Sequence, residues 1–165
     1  MNHKHLFLAI SCVVMAGCAA VSRAPAPPAA AKQIRPLEPQ RSEALLVTLM
    51  ALGVDYRYGG RAVATGFDCS GLVAHVFEEA YGIRLPRTAL GQSEVGRSVA
   101  MHELEPGDLV FYDTLGRPYS HVGIYVGEDK FVHAPKSGHA VRVESLRTSY
   151  WIKRFNGARR IPASL

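Results

Sequence analysis

Within Gly66-Phe67-Asp68-Cys69-Ser70-Gly71-Leu72-Val73-Ala74-His75-Val76-Phe77-Glu78-Glu79-Ala80-Tyr81-Gly82 an amphipathic helix is expected to open at Phe67-Asp68-Cys69 and run to about Tyr81, with both ends marked in the sequence. At 100° per residue, Leu72, Val73, Val76, Phe77 and Ala80 share a sector of about 140°, with His75, Glu78 and Glu79 opposite. Asp68 suits the cap of the first turn, and Gly82 suits the left-handed stop. Cys69 opens the helix and projects into the apolar sector. There the positive end of the helix dipole, helped by an imidazole if one lies near, would favour the thiolate. The plain alternative is a buried structural cysteine.

Outward from this helix the chain divides in two. Upstream, Ser42 can cap a helix running to about Leu52, with Gly53 as its stop and an apolar content that predicts deep burial. Residues 54 to 66 are extended and turn-rich, broken by Gly59, Gly60 and Gly66. Downstream, a short helical stretch follows Leu85-Pro86-Arg87-Thr88, and from Leu104 the signals are strand and turn. Strands are expected at 109–112, 121–126, 131–134, 140–143 and 151–155, with Arg159-Arg160 beyond the last. Helices first and strands after predict an α+β fold with an antiparallel sheet.

The 165 residues suffice for one domain. Their 48% hydrophobic and 20% charged content excludes wholesale disorder and a multi-span membrane protein. The net charge of +5 gives little support to nucleic-acid binding. Residues 1–40 carry four bases and one acid, leaving 15 bases against 13 acids in residues 41–165, too even a balance for a phosphate-binding stripe. Lys4, the apolar run Leu6–Ala16 and the small residues around Cys18 have the layout of an export signal, too short to span a bilayer. Met15-Ala16-Gly17-Cys18 resembles a bacterial lipobox. That likeness implies a signal over residues 1–17, lipid on Cys18 and attachment to an envelope membrane, inner or outer; the alternative is an ordinary secretory signal cut near Ala20, with Cys18 incidental. Residues 18–40, with five of the ten prolines, are expected to form a tether, and residues 41–165 the folded domain.

With Cys12 in the signal and Cys18 at the lipid site, Cys69 is the one thiol of the domain. No internal disulfide can form there, and no zinc site needing two thiolates. An exported lone thiol is a liability unless buried or used. His121 and His133 border apolar strands, where an imidazole needs a hydrogen-bond partner. Singly each suits a structural role. With Cys69 they supply a nucleophile, a base and a group to orient the base. They lie twelve residues apart, so a hairpin with an odd loop puts both on one face, whereas a four-residue loop at 127–130 puts them on opposite faces. His3, His5, His75, His102 and His139 carry no such pattern.

Six segments, in order, resemble the motifs of the NlpC-type bacterial cell-wall cysteine peptidases: Tyr56-Arg57-Tyr58-Gly59-Gly60, Gly66-Phe67-Asp68-Cys69-Ser70-Gly71-Leu72-Val73, Leu85-Pro86-Arg87-Thr88, Pro106-Gly107-Asp108-Leu109-Val110-Phe111, His121-Val122-Gly123-Ile124-Tyr125 and Val132-His133-Ala134. The likeness runs from about Leu45 to Arg160, with Asp55 standing where that family often has proline. It implies a papain-like α+β domain, the nucleophile helix packed on an antiparallel sheet. Cys69 is then the nucleophile, His121 the base and His133 the third polar residue. Tyr56 lies near the oxyanion, and Asp68 and Ser70 are candidates for substrate contact. The implied activity is cysteine endopeptidase cleavage of peptidoglycan stems or cross-links, by a monomer needing no cofactor or metal and binding no nucleic acid. The rival readings are a thiol amidase or acyltransferase on the same scaffold, a non-catalytic wall-binding lipoprotein, and a zinc protein.

Overall fold

The computed structural model describes residues 39–163, and the expected signal over residues 1–17, Cys18 and most of the expected tether lie outside them. Helix α1 (Pro39–Met50) comes first, then a small hairpin of β1 (Arg61–Ala62) and β2 (Gly66–Phe67). Helices α2 (Cys69–Tyr81) and α3 (Ala89–Ser93) follow. The sheet is built from β3 (Arg97–Val99), β4 (Leu109–Tyr112), β5 (His121–Gly127), β6 (Lys130–His133), β7 (Arg142–Ser145) and β8 (Phe155–Arg160), with a one-turn helix α4 (Ser149–Ile152) before the last strand. Its order is β3-β8-β4-β5-β6-β7, every neighbouring pair antiparallel.

The alternation of β4 sorts the core into two layers. Leu109 and Phe111 join Val122, Ile124 and Val132 under the apolar face of α2. Val110 and Tyr112 point the other way, into a second cluster with Tyr125, Phe131, Leu146, Trp151 and Ala158. Helix α2 matches its expectation. Leu72, Val73, Val76, Phe77 and Ala80 are buried, Asp68 accepts the Gly71 N–H at 2.7 Å, and Gly82 sits at φ 65°.

Four expectations need correction. Helix α1 already includes Pro39, the first described residue, so Ser42 lies inside it and does not cap it. The helix is also less buried than its composition suggests. Only Ala44 and Thr48 are buried along its length, while Leu46 and Met50 are 58% and 73% exposed, because apolar residues ring the helix but one narrow stripe meets α2. The stretch 140–143 is extended, but its first half pairs with the loop after α1: Val141 donates to the Val54 carbonyl at 2.8 Å and accepts from Gly53 at 3.0 Å. The sheet strand starts only at Arg142, opposite His133. The aromatic run at 151–155 is helical turn for its first half, which buries Trp151 alone, and Arg159-Arg160 lie inside β8.

The turn Glu105-Pro106-Gly107-Asp108 anchors these layers. Asp108 is fully buried, accepts the Glu105 N–H at 2.8 Å and takes a two-pronged bond from Arg160 at 2.8 and 2.7 Å. Arg41 of α1 reaches the Glu105 carboxylate and the Pro106 carbonyl. Such a pair is strongly destabilising to break on one side.

The β5–β6 hairpin settles the facing of the histidines. Its loop is two residues, Glu128 and Asp129, both at positive φ, the geometry of a tight primed turn. An even loop alone would send His121 and His133 to opposite faces. A bulge between Tyr125 and Gly127 inserts one residue, Val126, and restores the common face.

Candidate active site

Asp68 is where the site is assembled. It caps α2 and also accepts the Gly59 N–H at 3.0 Å and both arms of Arg87, at 2.9 and 2.5 Å. Arg87 donates to the Ser70 hydroxyl at 3.0 Å, and Ser70 donates to Asp68 at 3.3 Å. Burial opposes the charge of Asp68, but Arg87 and the Gly71 and Gly59 N–H groups overcome it and hold the carboxyl below its usual range. The loop comes close because residue 71 is glycine. A Cβ there would stand 2.0 Å from the Gly60 carbonyl oxygen, the group that also accepts the Asp68 N–H.

These contacts place Cys69, Tyr56, Asp68 and Ser70 around one cleft of about 530 Å³, with Arg87 and Tyr119 on its walls. The thiol is half-buried and lies against β5, where the Val122 N–H faces it. Burial, then the Asp68 charge, push the thiol up. The N–H groups of Val122, Ser70 and Cys69 itself pull it down, but by less. The Tyr56 phenol is raised by burial and by the neighbouring Cys69, Asp68 and Tyr58, so it remains a donor at neutral pH.

The histidines meet where the start of β5 lies beside the end of β6, next to Trp151. His121 Nε2 and His133 Nδ1 are 2.7 Å apart with perpendicular rings, and the residues are 5% and 1% exposed. Burial lowers His121 to about 4, and it lowers His133 further, helped by the charges of His121 and Arg142. Among the described residues no hydrogen bond joins Cys69 to His121. The thiol touches β5 one residue away, and the Nδ1 of His121 is the nitrogen left by the histidine pair. Burial thus works against the thiolate that the helix dipole predicts and against charge on either imidazole. Among the described residues no group of three or more His, Cys, Asp or Glu side chains is placed to hold a metal.

Two contributors escape the sequence reading. Arg87 stands in a quoted motif, but its clamp on Asp68 and Ser70 spans 19 and 17 residues and has no local sign. Trp151 stacks on His121 at 22° and meets His133 edge-on at 90°, while its indole N–H donates to Glu144 at 3.4 Å. It covers the hydrogen bond between the two imidazoles.

Residues 53–160 match the model of the NlpC/P60 family. The chain is 41% identical over 116 residues to the murein DD-endopeptidase MepH of Escherichia coli K12, covering 68% of this chain and 43% of that protein. It is 45% identical over 109 residues to murein DD-endopeptidase MepS/murein LD-carboxypeptidase of the same organism, covering 66% and 56%. It thus spans about half the length of these relatives. Among solved structures, an NlpC/P60 family protein from Bacillus cereus superposes with a TM-score of 0.68 at 31% identity, covering 74% of this chain and 40% of that one. The NlpC/p60 domain of the peptidoglycan hydrolase SagA superposes at 0.64 with 27% identity, covering 73% and 98%. With the matched family residues spanning well over half its length, and the helix-start cysteine and the two strand histidines all inside that span, the chain belongs to the NlpC/P60 family.

Proposed function

We propose that this protein is a cell-wall hydrolase, a cysteine endopeptidase that opens amide bonds in the peptide stems or cross-links of peptidoglycan. The observation that carries this reading is the 2.7 Å bond between His121 Nε2 and His133 Nδ1, which fixes the His121 ring and reserves Nδ1 for the thiol proton. The names of the similar murein endopeptidases supply the substrate class.

In the proposed reaction, Cys69 gives its proton to His121 Nδ1 as the sulfur attacks the scissile carbonyl, forming the S–C bond. The Cys69 N–H and the Tyr56 hydroxyl stabilise the oxyanion. His121 returns the proton to the leaving nitrogen as the C–N bond breaks, and water then cleaves the thioester to a carboxylate and the free thiol. Neutral partners suit this order, since the proton moves only when substrate is in place. In this reading Asp68 and Ser70, which line the cleft and are held by Arg87, are the candidates for contact with polar groups of the acyl portion.

The test is mass spectrometry of cross-linked muropeptides incubated with the full-length protein and with Cys69→Ser. New amine and carboxyl ends are expected only with the wild type, and equal products from both proteins would exclude a thiol nucleophile. We further propose that the enzyme works as a monomer, lipid-anchored through Cys18 on the periplasmic side of an envelope membrane. This rests on the lipobox-like Met15-Ala16-Gly17-Cys18 and the tether composition. Fatty-acid label should appear on the wild type and be absent from Cys18→Ala.

A further inference from the structure

A second cavity, of about 510 Å³, opens beside the histidines. Its lining includes His121, His133, Lys136, Arg142, Glu144 and Trp151, and it meets the Cys69 cleft at Leu115, a largely exposed residue that lines both. The reaction proposed above makes no use of it. It does fix what the cavity would hold. The acyl portion stays bonded to sulfur in the Cys69 cleft, while the amine departs with the proton that His121 returns, so the residue carrying the amine lies on the imidazole side.

The charges of this cavity are unbalanced. Glu144 is already engaged, paired with Arg142 at 2.6 Å and accepting the Trp151 N–H. Lys136 has no ion-pair partner among the described residues, which leaves the lining with one positive charge in excess beside two imidazoles that burial keeps neutral. His133 also lines this cavity. Its Nε2 is buried without a hydrogen-bond partner, although buried polar atoms are nearly always paired. An excess cation on a cavity lined by an imidazole whose buried nitrogen lacks a partner fits a small anion. A carboxylate is the anion that an amino-acid leaving group brings with it.

Resting on the hydrolase reading above, we propose that this cavity is the leaving-group subsite and selects an amino-acid residue that keeps a free carboxylate beside the amine being released, with Lys136 and Arg142 as its cations. The specificity follows from charge. An amidated carboxyl presents no anion to Lys136, and the excess positive charge then meets the developing ammonium with repulsion alone.

The test uses the full-length protein and two cross-linked muropeptides that differ only in whether the carboxyl of the leaving residue is free or amidated. The wild type should prefer the free acid by about tenfold in kcat/KM, the effect of two partly exposed charge-assisted contacts. The preference should shrink in 0.5 M salt, which screens exposed charges. Lys136→Glu should abolish or invert it, Lys136→Gln should reduce it to a few-fold, and Lys136→Arg should retain it. Equal rates on the two substrates by the wild type would overturn the subsite while leaving the hydrolase reading intact. So would an undiminished preference in Lys136→Glu. Failure to cleave either substrate would overturn the hydrolase reading and the subsite with it.

Discussion

Lowering the pH from 7 to 5 should destabilise the fold through the buried imidazoles alone. In the unfolded chain His121 titrates at its ordinary 6.5, whereas burial lowers it to about 4 in the folded protein. Between those values the unfolded state binds a proton that the folded state does not, so stability falls as pH falls through 6.5 and levels off only below the folded value. For His121 the loss between pH 7 and pH 5 is about 2 kcal/mol by that linkage. His133, lowered by burial and then by the charges of His121 and Arg142, adds a loss of the same sign. Asp68 stays ionised throughout this window, since Arg87 and two N–H groups hold it below the carboxylate range. Equilibrium urea unfolding at the two pH values reads the effect as a fall in midpoint of about 1 M or more, given usual denaturant slopes. In His133→Asn one of the two titrating rings is gone, and the pH-dependent part of the loss should shrink by about half whatever the variant's absolute stability. A wild type equally stable at pH 7 and 5 would refute the reasoning. It would mean that water reaches the imidazoles in the resting protein and that burial does not lower them.

Alkylation of Cys69 by iodoacetamide should rise with pH only above the range of an ordinary thiol near 8.5, because burial and Asp68 raise it, and His121→Ala should leave that profile nearly in place. A reaction already complete at pH 6 would show an ion pair. Trp151→Ala should admit water to the histidine pair and move the acid limb of kcat/KM from about 4 toward 6.5, and Trp151→Phe should move it less. An unmoved limb in the alanine variant would reduce Trp151 to packing. Asp108→Ala should cost about 2 to 3 kcal/mol, since it removes a buried carboxylate that accepts from Arg160 and from the Glu105 N–H while Arg160 keeps Glu105 and the Glu103 carbonyl, and a loss under about 1 kcal/mol in thermal or urea unfolding would contradict it.

Helix α2 and strand β4 are legible from local sequence alone. Helix α2 carries its cap, its face and its stop within fifteen residues, so neither its limits nor its burial depends on distant partners. Strand β4 is equally plain as Leu109-Val110-Phe111-Tyr112, with both faces buried. Strand β8 is the counterexample. Phe155-Asn156-Gly157-Ala158-Arg159-Arg160 has no apolar alternation, yet it lies inside the sheet between β3 and β4. Its arginines are tolerated there because Arg159 donates to the Ser93 carbonyl and Arg160 to Asp108, 66 and 52 residues away. Strand β3 exists only by pairing with it, Val99 opposite Ala158. Trp151 is a third case. Its role depends on standing over two rings from other strands, which no spacing around Tyr150-Trp151-Ile152 encodes.

The catalytic proposal turns on a feature of the same kind, one residue long. The twelve-residue separation of His121 and His133 leaves their common face to the loop, and the loop that forms is even. Glu128 and Asp129 take the tight turn at φ 51° and 56°, which by parity alone would set the imidazoles back to back across the sheet. Val126 undoes this by bulging between Tyr125, opposite Phe131, and Gly127, opposite Lys130. Nothing in the run His121-Val122-Gly123-Ile124-Tyr125-Val126 marks its last residue as different, because the bulge is decided by the second cluster, which needs Tyr125 and Phe131 on one side together. Packing of those two aromatic side chains therefore also selects the register that brings His121 Nε2 to 2.7 Å from His133 Nδ1. The core below the site and the chemistry in it are set by one choice of register.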